Sequence, residues 1–80
     1  MDMPTVLRID GFRFFFFSDE GNEPAHVHVA HQGSKAKFWL VPVSLVWNKG
    51  FNTSAITRLH EIVRDNQQEF LEAWNEHFSI

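Results

Sequence analysis

Apolar and polar residues alternate through the first half of the chain and recur every three to four positions through the second. "TVLRI" and "FRFFFF" flank Asp10-Gly11. Asp-Gly between two apolar runs predicts a tight hairpin, because a type I′ turn needs positive φ at both central residues. "HVHVAHQ" and "KAKFWLV" flank Gly33-Ser34, a pair suited to a type II′ turn, and predict a second hairpin. Pro42 interrupts the pattern. "VSLVW" then predicts a short fifth strand at an edge, closed by "NKG".

From Asn52 the period becomes helical. Ile56, Leu59, Val63, Phe70, Trp74 and Phe78 recur at that spacing, with Ile62 and Leu71 beside them. Asn52 suits an N-cap, and Phe51 with Ile56 a hydrophobic staple. No Gly or Pro follows Gly50, so one helix is expected over about 53–78, with Asn66-Gln67-Gln68 as its weak point. The expected fold is a single α+β domain over residues 1–80. An antiparallel sheet of four to five strands, about 4–48, packs on one long C-terminal helix. At 1.5 Å per residue that helix is roughly 38 Å long, whereas a six-residue strand covers about 20 Å. Its far end, with Phe70, Leu71, Trp74 and Phe78, should outrun the sheet and form a partner interface.

A two-residue turn fixes register. About Asp10-Gly11, Ile9 should face Phe12, Arg8 face Arg13, Leu7 face Phe14 and Thr5 face Phe16. About Gly33-Ser34, Val29 should face Phe38, Val27 face Leu40, His28 face Trp39, Ala30 face Lys37 and His26 face Val41. Both apolar sides must meet the same helix. Arg8, Arg13, His26, His28, Lys37 and Trp39 then share the outer face, with Val6, Phe15 and Phe17.

Composition narrows the class. Eighty residues bury only about 60% of the unfolded surface, which favours a partner. There is no cysteine, hence no disulfide and no thiolate chemistry. The start carries no basic leader, and the longest apolar run falls far below the roughly 18 residues that span a bilayer. A cytoplasmic protein without membrane contact is expected. The net charge of −3 and pI near 5.9 disfavour broad nucleic-acid binding but leave room for a local basic patch.

Chemistry concentrates on the outer face. Arg8, Arg13 and Lys37 are suited to phosphate, Trp39 to base stacking, and His26 and His28 to acid–base roles near neutral pH. Neighbouring cations should lower the pKa of both histidines. A structural reading stands beside this one: histidine alternating with valine also describes an ordinary half-exposed strand. Two histidines at i and i+2 supply two metal ligands. Asp19, Glu20 and Glu23 are candidate thirds, but sequence does not fix their distance, so no metal or cofactor is expected. His60 and His77 read as solvated or capping residues. Ser18, Ser34 and Ser44 have no nucleophile-elbow context.

"PTVLRIDGFRFFFFSDEGNEPAHVHV", "AKFWL" and "LEAWNEHF" together resemble the small bacterial family catalogued as domain of unknown function number 4160. The resemblance runs from about Met3 to Phe78, and "EGNEPAHVHV" is its most specific part. Ala25 departs from it, standing where the family pattern has a second proline. The resemblance implies a small cognate protein encoded nearby, antitoxin-like, and a toxin role in a two-gene module; it supplies no active site. The expectation is a type II toxin acting on RNA or translation as a metal-independent ribonuclease, with His28 and His26 as acid and base. The alternative is a non-enzymatic interaction or regulatory module using the same face and the C-terminal helix. Either way a homo- or hetero-oligomer is expected.

Overall fold

A computed structural model describes residues 5–78. Five antiparallel strands lie in sequence order: β1 (Thr5–Ile9), β2 (Phe12–Phe15), β3 (His26–His31), β4 (Ser34–Leu40) and β5 (Val43–Lys49). Two helices follow, α1 (Thr53–Asp65) and α2 (Gln67–Phe78). The fold is thus α+β, with an open sheet that has β1 and β5 at its edges.

Asp10 and Gly11 take φ of 52° and 84°, and the first hairpin has the expected register from Ile9–Phe12 to Leu7–Phe14. An irregularity between Thr5 and Leu7 then sets Thr5 opposite Phe15 instead of Phe16. The second turn lies one residue earlier than expected. Gln32 (φ 49°) and Gly33 (φ 87°) occupy its centre, so His28 faces Lys37 and His26 faces Trp39. Relative to the expected pairing, β4 slips by two residues. A slip of two preserves every face, because side chains alternate with period two.

The inner face is apolar and buried. Phe14, Val27, Val29, Ala36, Phe38 and Leu40 meet Leu59, Ile62, Val63, Phe70 and Trp74 in one buried cluster. Asn52 caps α1 as expected, its Oδ1 accepting from the Ala55 N–H at 2.8 Å. Arg58 reaches Asp10 at 2.6 Å and ties α1 to the first turn.

The single long helix is corrected to two. The first ends at Asp65, and Asn66 leaves the helical conformation at φ −114°, ψ 17°. Gln67 Nε2 donates to the Leu40 carbonyl at 2.6 Å, anchoring the break to the end of β4. Each helix is then about 20 Å long or less, which matches the sheet. The overhanging end is corrected with it. Phe70 and Trp74 are 0% and 2% exposed within the chain's own fold, and Leu71 and Phe78 are half-buried against the same cluster. Trp74 packs on Phe16, His26 and Phe78, with ring centroids 5.3, 4.8 and 4.2 Å away. Among the described residues no helix is long and apolar enough to cross a membrane.

Candidate functional site

His26 and His28 lie two apart at the start of β3, so both rings leave the same side of the strand. The segment between β2 and β3 folds over them. Its turn, closed by the Glu23 N–H on the Glu20 carbonyl at 3.1 Å, brings the Glu20 carboxylate onto the pair. Gly21 permits the approach: a Cβ there would come within 2.6 Å of the Phe78 ring.

One oxygen serves both rings. Glu20 Oε1 lies 2.8 Å from His26 Nε2 and 2.8 Å from His28 Nε2. On the far side of its ring, His26 Nδ1 lies 2.9 Å from the Pro24 carbonyl. A carbonyl only accepts, so Nδ1 carries a proton. In a neutral His26 the lone pair at Nε2 would then face a carboxylate oxygen. A second proton or a cation must relieve that contact. An Nε2–H at His28 satisfies Glu20 Oε1 in the same contact.

The site is largely shut. His26 is 0% exposed and His28 5%. Phe15 stacks on the His28 ring at 5.5 Å and Phe17 meets it edge-on at 4.7 Å. Burial lowers the His28 pKa, and Glu20 opposes that shift without reversing it. The direction is as expected, but the leading cause is desolvation, with Lys37 a minor contributor. Burial raises the Glu20 carboxyl, and the hydrogen bonds from His26 and His28 outweigh it, leaving the group below its ordinary value.

The expected phosphate ligands divide. Lys37 Nζ sits 2.8 Å from Glu23 and 4.8 Å from the Trp39 ring centroid, so it is already engaged. Arg13 donates to Thr5 Oγ1 at 2.9 Å and lies over the Phe15 ring. Arg8 is exposed and stands opposite Arg13 as expected. Trp39 is half-buried beside His26. His26, with no exposed surface, does not touch a substrate in this conformation.

Sequence reasoning missed Lys35, Lys49 and Trp47. The strand partners run Arg8–Arg13–Ala30–Lys35–Lys49, one residue from each strand. Four of the five are cations, so a basic row crosses the whole outer face. Beside it Phe15–His28–Lys37–Trp47 forms the next row. A cleft of about 250 Å³ runs along the two, lined by Phe15, Phe17, His28, Lys35, Trp47 and Lys49 among others. The available signal was "KAK", whose period of two sets Lys35 and Lys37 on one face. A wider recess of about 410 Å³ between β1 and α2 is lined by Thr5, Val6, Phe16, Ala73, Glu76 and His77 and gathers no Lys or Arg.

No curated protein and no solved structure matches the chain. A family profile does match, over residues 11–75. That stretch holds the whole Glu20–His26–His28 cluster and most of the basic row. On that match the chain belongs to the domain of unknown function DUF4160.

Proposed function

We propose that this chain binds RNA, or a comparable phosphate polyanion, through the outer face of its sheet, and acts as the toxin-like member of a two-protein module. The basic row carries the reading. Lys35 opposite Lys49 is a like-charge cross-strand pair, and Arg8 stands at the far end of the same row. Such a pair is unfavourable by up to about 1 kcal/mol, and a bound phosphate removes the penalty. Among the described residues no acid pairs with Arg8, Lys35 or Lys49. Phe15, Phe17 and the partly exposed Trp47 add aromatic surface suited to stacked bases. The reading is one of binding. Both histidine rings are engaged by Glu20, and acid–base cleavage by His26 is not part of it.

Fluorescence anisotropy on a labelled single-stranded RNA tests this directly. With three to four phosphates neutralised, the logarithm of affinity should fall against the logarithm of salt with a slope of about −2 to −3 above about 0.1 M. Lys35→Glu with Lys49→Glu should weaken binding at least about tenfold and flatten the slope. Overexpression of the wild type should arrest growth, and the double variant should not. A wild type that ignores RNA near 0.1 M salt sinks the proposal.

A second reading rests on β5. This edge strand exposes Leu45, Val46 and Trp47, with Val41 just before it, at 36–66% of their surface. An apolar edge with unpaired backbone groups suits strand addition by a partner protein. If a cognate protein is the ligand, its co-expression should protect backbone amides of Val43–Lys49 from hydrogen exchange, and growth should not depend on Lys35 or Lys49.

A further inference from the structure

We propose that Glu20, His26 and His28 form a binding site for a divalent transition-metal ion of the Zn²⁺ type, held by three protein ligands with a fourth position left for water or another oxygen ligand. Three observations carry it. Glu20 Oε1, His26 Nε2 and His28 Nε2 converge from two segments of chain, and the three ligand atoms lie within 4.8 Å of one another. Both nitrogens already approach one carboxylate oxygen at 2.8 Å. Tetrahedral ligands at about 2.0–2.2 Å from zinc stand a little over 3 Å apart, so small side-chain rotations are sufficient.

The second observation is the outer hydrogen bond. Metal-bound histidines characteristically donate their other ring N–H to a carbonyl or carboxylate, which fixes the tautomer with its lone pair toward the ion. His26 has that arrangement, with Nδ1 on the Pro24 carbonyl. The third is the electrostatic problem inside the site. A buried, inward-facing lone pair on His26 meets a carboxylate oxygen at 2.8 Å. A divalent cation relieves that contact and serves His28 in the same place.

Two imidazoles and one carboxylate are ligands of intermediate softness, which favours Zn²⁺, Co²⁺ or Fe²⁺ over Mg²⁺ or Ca²⁺. Glu23 does not complete the set. Its carboxylate binds Lys37, and its approach to His26 is to Nδ1, on the side away from Glu20. The inference does not depend on RNA binding, because none of the three ligands belongs to the basic row.

The test uses the full chain, stripped with a chelator and titrated with Zn²⁺ or Co²⁺. One ion per chain is expected. Co²⁺ should develop the visible absorption of a low-coordinate N/O site, and Trp39 and Trp74, both against the His26 ring, should report binding by fluorescence. Glu20→Gln keeps the side-chain shape and removes the anionic ligand; it should weaken binding at least about tenfold. His28→Ala, at the more open edge of the cluster, provides the same loss should Glu20→Gln fail to fold. Wild-type protein that takes up no ion, or folded Glu20→Gln and His28→Ala variants that bind as tightly as wild type, would overturn the assignment.

Discussion

Glu20 answers to two imidazoles at once, and this makes the chain acid-sensitive in a defined way. Burial depresses the His28 pKa below 6.5, so the unfolded chain takes up that proton more readily than the folded one. Stability from this source is complete above pH 6.5, declines as the pH falls toward the folded value, and levels off below it. Glu20 has the same sign at lower pH. Its folded pKa lies under 4.5, so its contribution is present above 4.5 and is lost as the pH falls through the folded value. Urea midpoints should therefore fall as the pH drops below about 6.5 and fall again below about 4.5, and His28→Gln should flatten the first decline. A midpoint unchanged between pH 7 and 5 would contradict this account. The placement of His26 and His28 on one side of a strand was legible from their spacing. The arrival of Glu20 was not. It rests in an aperiodic segment whose path depends on Gly21 meeting Phe78, a contact between residues far apart in sequence.

At the level of elements, the chain fits its second half to its first by breaking it. Alternation about Asp10-Gly11 and the change of period at Asn52 both located real boundaries. The apolar pattern of 56–78 is continuous across Asn66, so periodicity alone reads one helix. The break falls at the expected weak point, where the Asn66 amide donates to the Ile62 carbonyl at 2.8 Å, and the tertiary bond from the Gln67 amide to the Leu40 carbonyl, which no local pattern encodes, fixes it. The two-residue slip of β4 is local in origin: Gln32, a less common choice for a positive-φ turn position than glycine, takes that position beside Gly33. Because α2 covers the chain's own core, Trp74→Ala should act on folding. The cost should be about 3–5 kcal/mol in chemical denaturation, with no change in sedimentation of the folded fraction. Loss of self-association with stability intact would restore the view that Trp74 faces a partner.

Across the whole molecule, charge is sorted by layer. Five of the seven Lys and Arg residues stand on the strands, as Arg8, Arg13, Lys35, Lys37 and Lys49, while α1 and α2 carry Glu61, Asp65, Glu69, Glu72 and Glu76 against two arginines. The net charge is −3. A polyanion therefore meets two different proteins, depending on how far electric fields reach. The chain measures 34 × 26 × 20 Å, and the screening length is about 10 Å at 0.1 M salt but about 30 Å at 0.01 M. In dilute buffer an approaching strand feels the monopole and is turned away; near physiological salt only the surface it touches matters. The association rate for RNA should accordingly rise with salt up to about 0.1 M and fall beyond it, giving a maximum where ordinary basic binders show a steady decline. Stopped-flow mixing across that range is the measurement, and a rate that drops from the lowest salt onward would mean the sheet's field dominates at every distance. Such a maximum would let the helices keep the protein off stray polyanions at long range while the sheet holds those that arrive face-on.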